Sequence, residues 1–428
     1  MHLRLKQESS MGTTPFMVYA DGSGQVFDHS RFTMAVWDGY RVREPLEEEL
    51  VPVPPGSDLY LLPGRLPLGF SGKKKHLVEY DGGDADALSA VSVFLAPAWV
   101  RLCHPAFRTL PEAPVLPLFA YAPVGWMDGT FWTTSLRITP ERRQDPALFD
   151  IGEIRKGVDR DLKAFPRNRL LRQLRRCAIE YGCRAAQNLF LKRWEAPLPT
   201  SPHCNARCLG CLSLQEGPVS PTQERITFVP TPQEIAEVAL LHFGRVQDPI
   251  ASFGQGCEGE PLAQADVLVQ SVELIRKQNT SGTVNLNTNA SRPDKVEALC
   301  RAGLSSIRVS MVSPDPEKYQ QYHRPQGYSF EDVVRSIDVA RGAGVLVSLN
   351  LLVFPGLTDR HDEVERLVDF VKQHDVNFIQ WRNLNIDPEL YLGQMGSGEG
   401  GMGLKGTIDR VQAELPGVGH GYFNPFVG

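Results

Sequence analysis

From about Leu198 the chain repeats one pattern: a short apolar run, a turn, then a segment whose apolar positions recur every three or four residues. The runs PIASFG, GTVNLNTN, SSIRVSM, LVSLNLLVF and NFIQWRNL are predicted strands. Between them QADVLVQSVELIRKQN, RPDKVEALCRAG, SFEDVVRSIDVARGAG and HDEVERLVDFVKQH are predicted helices. An earlier helix starts at Thr231, Pro232 and Gln233 and runs through EIAEVALLHF, its Thr and early Glu resembling an N-cap and capping box. Repeated strand-helix units with short connections imply a mostly parallel sheet covered by helices, either an open doubly wound sheet or a barrel.

The texture differs on both sides. Residues 1 to about 145 carry short β-rich segments (FMVYA, MAVWDGY, SDLYLLPG, KHLVEY, SVFLAP) cut by Gly and Pro, which predicts a β-rich domain of short strands and tight turns. Its Trp37, Tyr40, Tyr121, Trp126 and Trp132 serve either as its core or as a recognition surface. Residues 146–197 read as a helical connector broken at Pro166, with the arginines of RNRLLRQLRR either on a solvated helix face or facing an acidic partner. The repeating core is assigned to 198–390. Residues 391–428 hold a glycine-rich stretch, GQMGSGEGGMGLKG, expected to be a loop, and HGYFNPFVG, expected to pack back on the protein.

Composition narrows the partners little. The 428 residues suffice for two or three domains, and 45 Lys plus Arg against 50 Asp plus Glu give a net charge of -5, with no bulk pull toward nucleic acid or membrane. No apolar run long enough to span a bilayer and no basic-then-apolar leader appears, so a cytoplasmic location is expected.

The chemistry is concentrated in HCNARCLGC. Cys204, Cys208 and Cys211 place three thiols within eight residues, a spacing that turns three sulfurs toward one point and suits an iron-sulfur cluster. A four-iron cube held by three thiolates keeps one iron open. Zinc with His203 as fourth ligand, in a noncatalytic module, is the competing reading. The other cysteines (Cys103, Cys177, Cys183, Cys257, Cys300) stand singly or in a wide pair. Polar residues gather at the carboxyl ends of the predicted strands, where ligands sit in such folds. They are Gly254 to Glu260, then Asn285, Asn287 and Asn289, then Arg308 and Ser310, then Asn350, then Gln380, Arg382, Asn383 and Asn385.

Taken together, these features resemble the radical S-adenosylmethionine superfamily over roughly residues 198–390. The CxxxCxxC loop is matched by Cys204, Cys208 and Cys211, and a Gly-Gly-Glu-Pro-like segment by Gly259, Glu260 and Pro261. The resemblance implies an α/β fold: a partial (β/α)6 TIM-like barrel, here with an N-terminal β-rich accessory domain and a short C-terminal extension. It implies a [4Fe-4S] cluster on the three cysteines and S-adenosyl-L-methionine on Gly259, Glu260, Pro261, Asn287, Asn289, Arg308, Ser310 and Asn350, with Leu352 to Gly356 near the adenine. One departure is Gly210, where family members commonly place an aromatic residue; the adenine then rests on backbone or another side chain.

The implied reaction is reductive cleavage of S-adenosylmethionine to a 5'-deoxyadenosyl radical that takes hydrogen from a substrate, fed by a flavodoxin- or ferredoxin-like one-electron reductant. No catalytic side chain is assigned. The extra domain makes RNA or protein the leading expectation for substrate, with a small metabolite as the alternative; no second cysteine cluster follows the barrel.

Overall fold

The computed structural model describes residues 14–72, 75–82, 88–216, 219–396 and 398–428, and the chain divides into two compact units. One takes in residues up to Ile138 with Val353–Val364 and Asn383–Val411; the other takes in Thr139–Leu352, Glu365–Arg382 and Gln412–Gly428.

The second unit opens with three helices, α1 (Ile151–Ala164), α2 (Arg169–Ile179) and α3 (Arg184–Phe190), α1 and α2 being separated by the turn at Pro166. A seven-stranded sheet follows in the order β1 (Glu195–Pro197), β2 (Ile250–Phe253), β3 (Thr283–Thr288), β4 (Ser306–Met311), β5 (Leu346–Val353), β6 (Phe378–Asn383) and β7 (Gly419–Gly421). The β1/β2, β2/β3, β3/β4, β4/β5 and β6/β7 pairs are parallel. Helices α4 (Pro232–Phe243), α5 (Ala265–Arg276), α6 (Pro293–Ala302), α7 (Pro316–His323), α8 (Phe330–Gly342) and α9 (His361–Gln373) make the returns. The sheet is curled, so β1 to β6 form the partial (β/α)6 barrel and β7 extends it.

Strand alternation sorts the side chains. On β4, Ile307, Val309 and Met311 are fully buried, while Ser306, Arg308 and Ser310 share the other face. Register then lines up Ser252, Asn285 and Ser306 in one row, and Asn287, Arg308 and Ser348 in the next. A polar lumen inside an apolar shell is the result.

Two local predictions meet structure differently. The α4 capping box forms, with Glu234 N donating to Thr231 Oγ1 at 3.2 Å and Thr231 N to Glu234 Oε2 at 2.8 Å. The glycine-rich stretch, expected to be loop, is bracketed by helices α10 (Pro388–Met395) and α11 (Gly403–Glu414). Helix α11 holds together because Leu404, Thr407, Ile408 and Val411 are buried at helical spacing. Ser397 lies outside the described residues.

The arginine-rich helix α2 buries Leu170, Leu171, Leu174, Cys177 and Ala178. Arg169 pairs with Glu234, and Arg176 with Glu180 and Glu224, acids of the same unit.

Among the described residues the first unit is antiparallel, with one twelve-stranded sheet and one of three strands. Val18, Ala20, Val91, Val93, Ala122 and Val124 form one of its apolar clusters. Its aromatic residues are engaged internally. Tyr121 Oη donates to Pro117 O at 2.7 Å, Trp132 Nε1 to Met127 O at 3.1 Å and Tyr40 Oη to Asp359 Oδ1 at 3.2 Å, while Trp126 meets Phe131 edge-on and Trp37 lies against His104. Asp387 caps α10 and forms a buried ion pair with Arg65 at 3.0 Å.

Candidate functional site

Cys204, Cys208 and Cys211 lie in the loop after β1, where backbone bonds from several elements fix the path. Arg207 N donates to His323 O and Leu209 N to Tyr322 O, both at 3.0 Å, so the loop is pinned to the end of α7. Gln326 N donates to Asn205 O at 2.8 Å, and Cys211 N turns back onto Cys208 O at 3.2 Å. The three thiols are close enough to act on one another: burial pushes the Cys208 thiol well above its usual range, and the charges of Cys204 and Cys211 push it further. Cys204 is exposed, yet the atoms crowded round its thiol raise it to about 11, with Glu260 adding to the effect.

The segment after β2 is bound to this loop by main-chain pairing. Gly259 N donates to Ser201 O and Glu260 N to His203 O, each at 2.7 Å. A Cβ on Gly259 would sit 2.0 Å from His203 O, so only glycine permits this approach. Gly254, at φ +76°, meets the same constraint: a Cβ there would fall 1.7 Å from Asn287 O. Pro261 starts the short helical turn Pro261–Gln264 and is buried.

Two carboxylates organise the junction. Glu260 is buried; it accepts from Leu262 N at 3.0 Å, Asn289 N at 2.8 Å and the Thr288 hydroxyl. Glu258, to which no role is assigned above, accepts from Gly254 N and Gln255 N through one oxygen and from Thr200 N and Ser201 N through the other, at 2.7 to 2.9 Å. Burial raises both carboxyls to about 7, against the pull of those N–H groups.

Of the other predicted residues, Asn289 joins this group, its Nδ2 donating to Asn205 Oδ1 at 2.8 Å. Asn287, one row into the lumen, donates to Phe253 O at 2.7 Å and accepts from Asn285 at 2.8 Å. Arg308 bonds to Gln380 Oε1 on β6 at 3.0 Å, and burial with the nearby Arg382 lowers it to about 9. Ser310 stands opposite Asn350 in the β4/β5 ladder. Among the described residues Arg308 Nε and, in the neighbouring row, Asn350 Oδ1 are buried without a hydrogen-bonding partner, which marks these rows as open to a further polar group.

Several contributors have no signal of their own in the sequence. His323 places Nδ1 3.4 Å from Cys208 Sγ and stacks on Tyr319; burial lowers it to about 3, so the imidazole is neutral. Arg225 Nη2 lies 3.7 Å from Cys211 Sγ. Asn424, in the segment after β7, is buried and bonds to Gln380 and Glu195 at 2.7 and 2.8 Å. The polar run at the end of β6 disperses: Arg382 donates to Tyr422 O at 2.9 Å, whereas Asn383 bonds to Trp99 O and Arg101 N in the β-rich unit. Phe354, in the segment expected near an adenine, packs in that unit against His104, Arg101 and Tyr391.

Among the described residues no group of three or more His, Cys, Asp or Glu draws together tightly enough to hold one metal ion. A single zinc gathers its donors to about 2.0–2.3 Å from one centre; a cube gives each thiolate its own iron and sets its ligands wider. The donor set of three thiols beside main chain, with orphaned polar atoms in the adjoining rows, fits a cluster with a polar cofactor next to it. Among the described residues no helix is long and apolar enough to cross a membrane.

Comparison with known proteins agrees on the barrel region. Residues 198–371 match the model of the radical SAM superfamily. A GTP 3',8-cyclase of Marinobacter nauticus is 31% identical over 218 residues, 48% of this chain and 57% of that protein. The molybdenum cofactor biosynthesis protein moc-5 of Caenorhabditis elegans is 29% identical over 184 residues, 42% of this chain and 28% of that one. The chain thus spans about half the length, or less, of these curated relatives. Among solved structures, the [FeFe]-hydrogenase maturase HydG aligns with 17% identity and a TM-score of 0.40, covering 64% of this chain and 66% of that one. Residues 198–371, which hold the cysteine loop, belong to the radical SAM superfamily.

Proposed function

We propose that Cys204, Cys208 and Cys211 carry a [4Fe-4S] cluster, that S-adenosylmethionine binds between it and the Gly259–Pro261 segment, and that the protein is an enzyme which starts its reaction by cleaving that molecule. The observation that carries this reading is the pairing of Gly259 and Glu260 with Ser201 and His203, which joins the cysteine loop to the cofactor segment along a glycine no other residue can replace. When bound, the pair would supply one-electron reductive cleavage of a carbon–sulfur bond, followed by hydrogen abstraction from a substrate.

The chain's own residues act by holding and excluding. Glu258 clamps Thr200 and Ser201 against Gly254 and Gln255, so the cysteine loop and the cofactor segment move as one body. Carbonyls of the Gly259 segment are acceptors for an ammonium group, while Asn287, Asn289, Arg308, Ser310 and Asn350 offer the lumen side for a carboxylate and ribose. Arg225 Nη2 stands 3.7 Å from Cys211 Sγ and places a positive charge against the loop. Neutral His323 closes the loop's rear at Cys208 without adding a proton donor of ordinary acidity.

The relatives share the barrel, so their likeness supports the initiating chemistry rather than a choice of substrate. An RNA or protein substrate, with electrons from a flavodoxin- or ferredoxin-like donor, is the extension of this reading favoured by the added β-rich unit. Anaerobic reconstitution with iron and sulfide tests the first step. About four irons and a reducible brown chromophore, lost in Cys208→Ala, are expected; one colourless zinc per chain would overturn it and favour a noncatalytic module.

A further inference from the structure

Three of the five cysteines outside the cluster loop gather in one place. Cys177 lies near the end of α2, Cys183 is the N-cap of α3, and Cys257 follows β2 in the loop that leads to Glu258, Gly259 and Glu260. Cys177 and Cys257 lie near enough to act on each other's titration, and Cys183 N donates to Cys177 O at 2.9 Å. All three line a cavity of about 20 Å³ that also touches Leu174, Ala186 and Gln255. Cys177 is 1% exposed and Cys257 4%.

One buried cysteine is most simply a small apolar residue. Two thiols this near, drawn from separate elements and facing a common cavity, are a different object, because a two-electron oxidant can join them. The pair is also asymmetric. Gln173 Nε2 donates to Cys177 Sγ at 3.6 Å and favours a thiolate there, whereas Cys177 beside it and burial raise Cys257 well above the usual thiol range. Cys177 is therefore the nucleophile and Cys257 the resolving thiol.

We propose that Cys177 and Cys257 are a redox-active dithiol, closing to a disulfide that ties α2 to the loop carrying Glu258, Gly259 and Glu260. The cavity has room for about one water-sized molecule, so the oxidant is a small peroxide and not a bulky disulfide. The Cys177 thiolate attacks one peroxide oxygen, the O–O bond breaks, and the departing hydroxide takes a proton and leaves as water, giving a sulfenic acid. Cys257 then attacks that sulfur, the S–S bond forms, and its proton leaves with the hydroxyl as a second water. Two thiols lose two electrons in all, and one peroxide gains them. The disulfide lies next to Glu258, so its formation reaches Thr200 and Ser201 at the base of the cysteine loop.

The test is a peptide map of the full chain, with and without reconstituted cluster, treated with one to two equivalents of hydrogen peroxide and quenched with N-ethylmaleimide. Cleavage after Arg176 and Glu180 puts Cys177 and Cys183 on separate peptides. The expected result is a Cys177–Cys257 linked peptide in both preparations, reversed by dithiothreitol, retained in Cys183→Ser and absent in Cys257→Ser. Unlinked, alkylated Cys177 and Cys257 after peroxide, or a link that joins Cys183 instead, would overturn the proposal. Because linkage is read by mass, it stands or falls independently of cluster loading.

Discussion

Glu258 accepts a hydrogen bond from Thr200 N at 2.7 Å across 58 positions of sequence, and its other oxygen holds Gly254. One buried carboxylate thereby sets the spacing between the cysteine loop and the segment that faces it.

Removing that carboxylate should loosen both loops. Glu258→Ala leaves four main-chain donors without their acceptor, at about 1–3 kcal/mol for each buried group that water cannot reach. We expect a loss of roughly 3 kcal/mol or more in urea denaturation and a fall in iron retained after reconstitution, with Glu258→Gln intermediate. Unchanged iron content in Glu258→Ala would show that the clamp is dispensable.

Gly259 carries the tightest steric condition of the site. Gly259→Ala drives a Cβ to 2.0 Å from His203 O and must break the pairing with Ser201. Iron incorporation should fall at least about tenfold, which corresponds to some 1.4 kcal/mol, while circular dichroism stays that of a folded protein. Normal loading would contradict the close approach.

The strand-helix repeat is legible in the sequence because its apolar positions alternate or recur at helical spacing over long runs. Helices α7 and α10 are not: each has eight residues and is capped by an aspartate (Asp315, Asp387), and the buried positions are too few to set a period, Tyr319, Tyr322 and His323 in α7 and Pro388, Tyr391, Leu392 and Met395 in α10. Three thiols in eight residues announce themselves by spacing. Glu258 does not, because its partners are backbone amides, which every sequence contains. Asn424 is equally silent, since Glu195 and Gln380 reach it only through the fold. The polar run from the end of β6 onward reads as one shell yet serves two units, with Arg382 bonding Tyr422 and Asp387 bonding Arg65.

The Arg65–Asp387 pair gives a prediction for the β-rich unit. Both side chains are 3% exposed, so Asp387→Ala strands a buried guanidinium and should cost about 3–5 kcal/mol. The double variant Arg65→Met, Asp387→Leu should recover much of that loss. A double variant less stable than Asp387→Ala would argue that the pair is worth more than an apolar replacement.

His242 provides a test by pH. Burial lowers it to about 4, and its Nε2 lies 3.3 Å from Trp194 O. The folded protein keeps it neutral where the unfolded chain, titrating near 6.5, is protonated. Its contribution to stability is therefore complete above about pH 6.5 and is lost as pH falls toward 4, at up to about 1.4 kcal/mol per pH unit. His242→Gln keeps a donor for Trp194 and should flatten the wild-type slope across that window by this amount. Parallel stability curves for the two proteins would exclude burial of a neutral histidine.

The most direct measurement is 5'-deoxyadenosine formed from S-adenosylmethionine under anaerobic reduction by dithionite, comparing the reconstituted protein with Cys204→Ala, Cys208→Ala and Cys211→Ala. The account predicts product from the native chain and none above background from any of the three variants. No product from a native chain that carries its full complement of iron, or product undiminished in the variants, would contradict it.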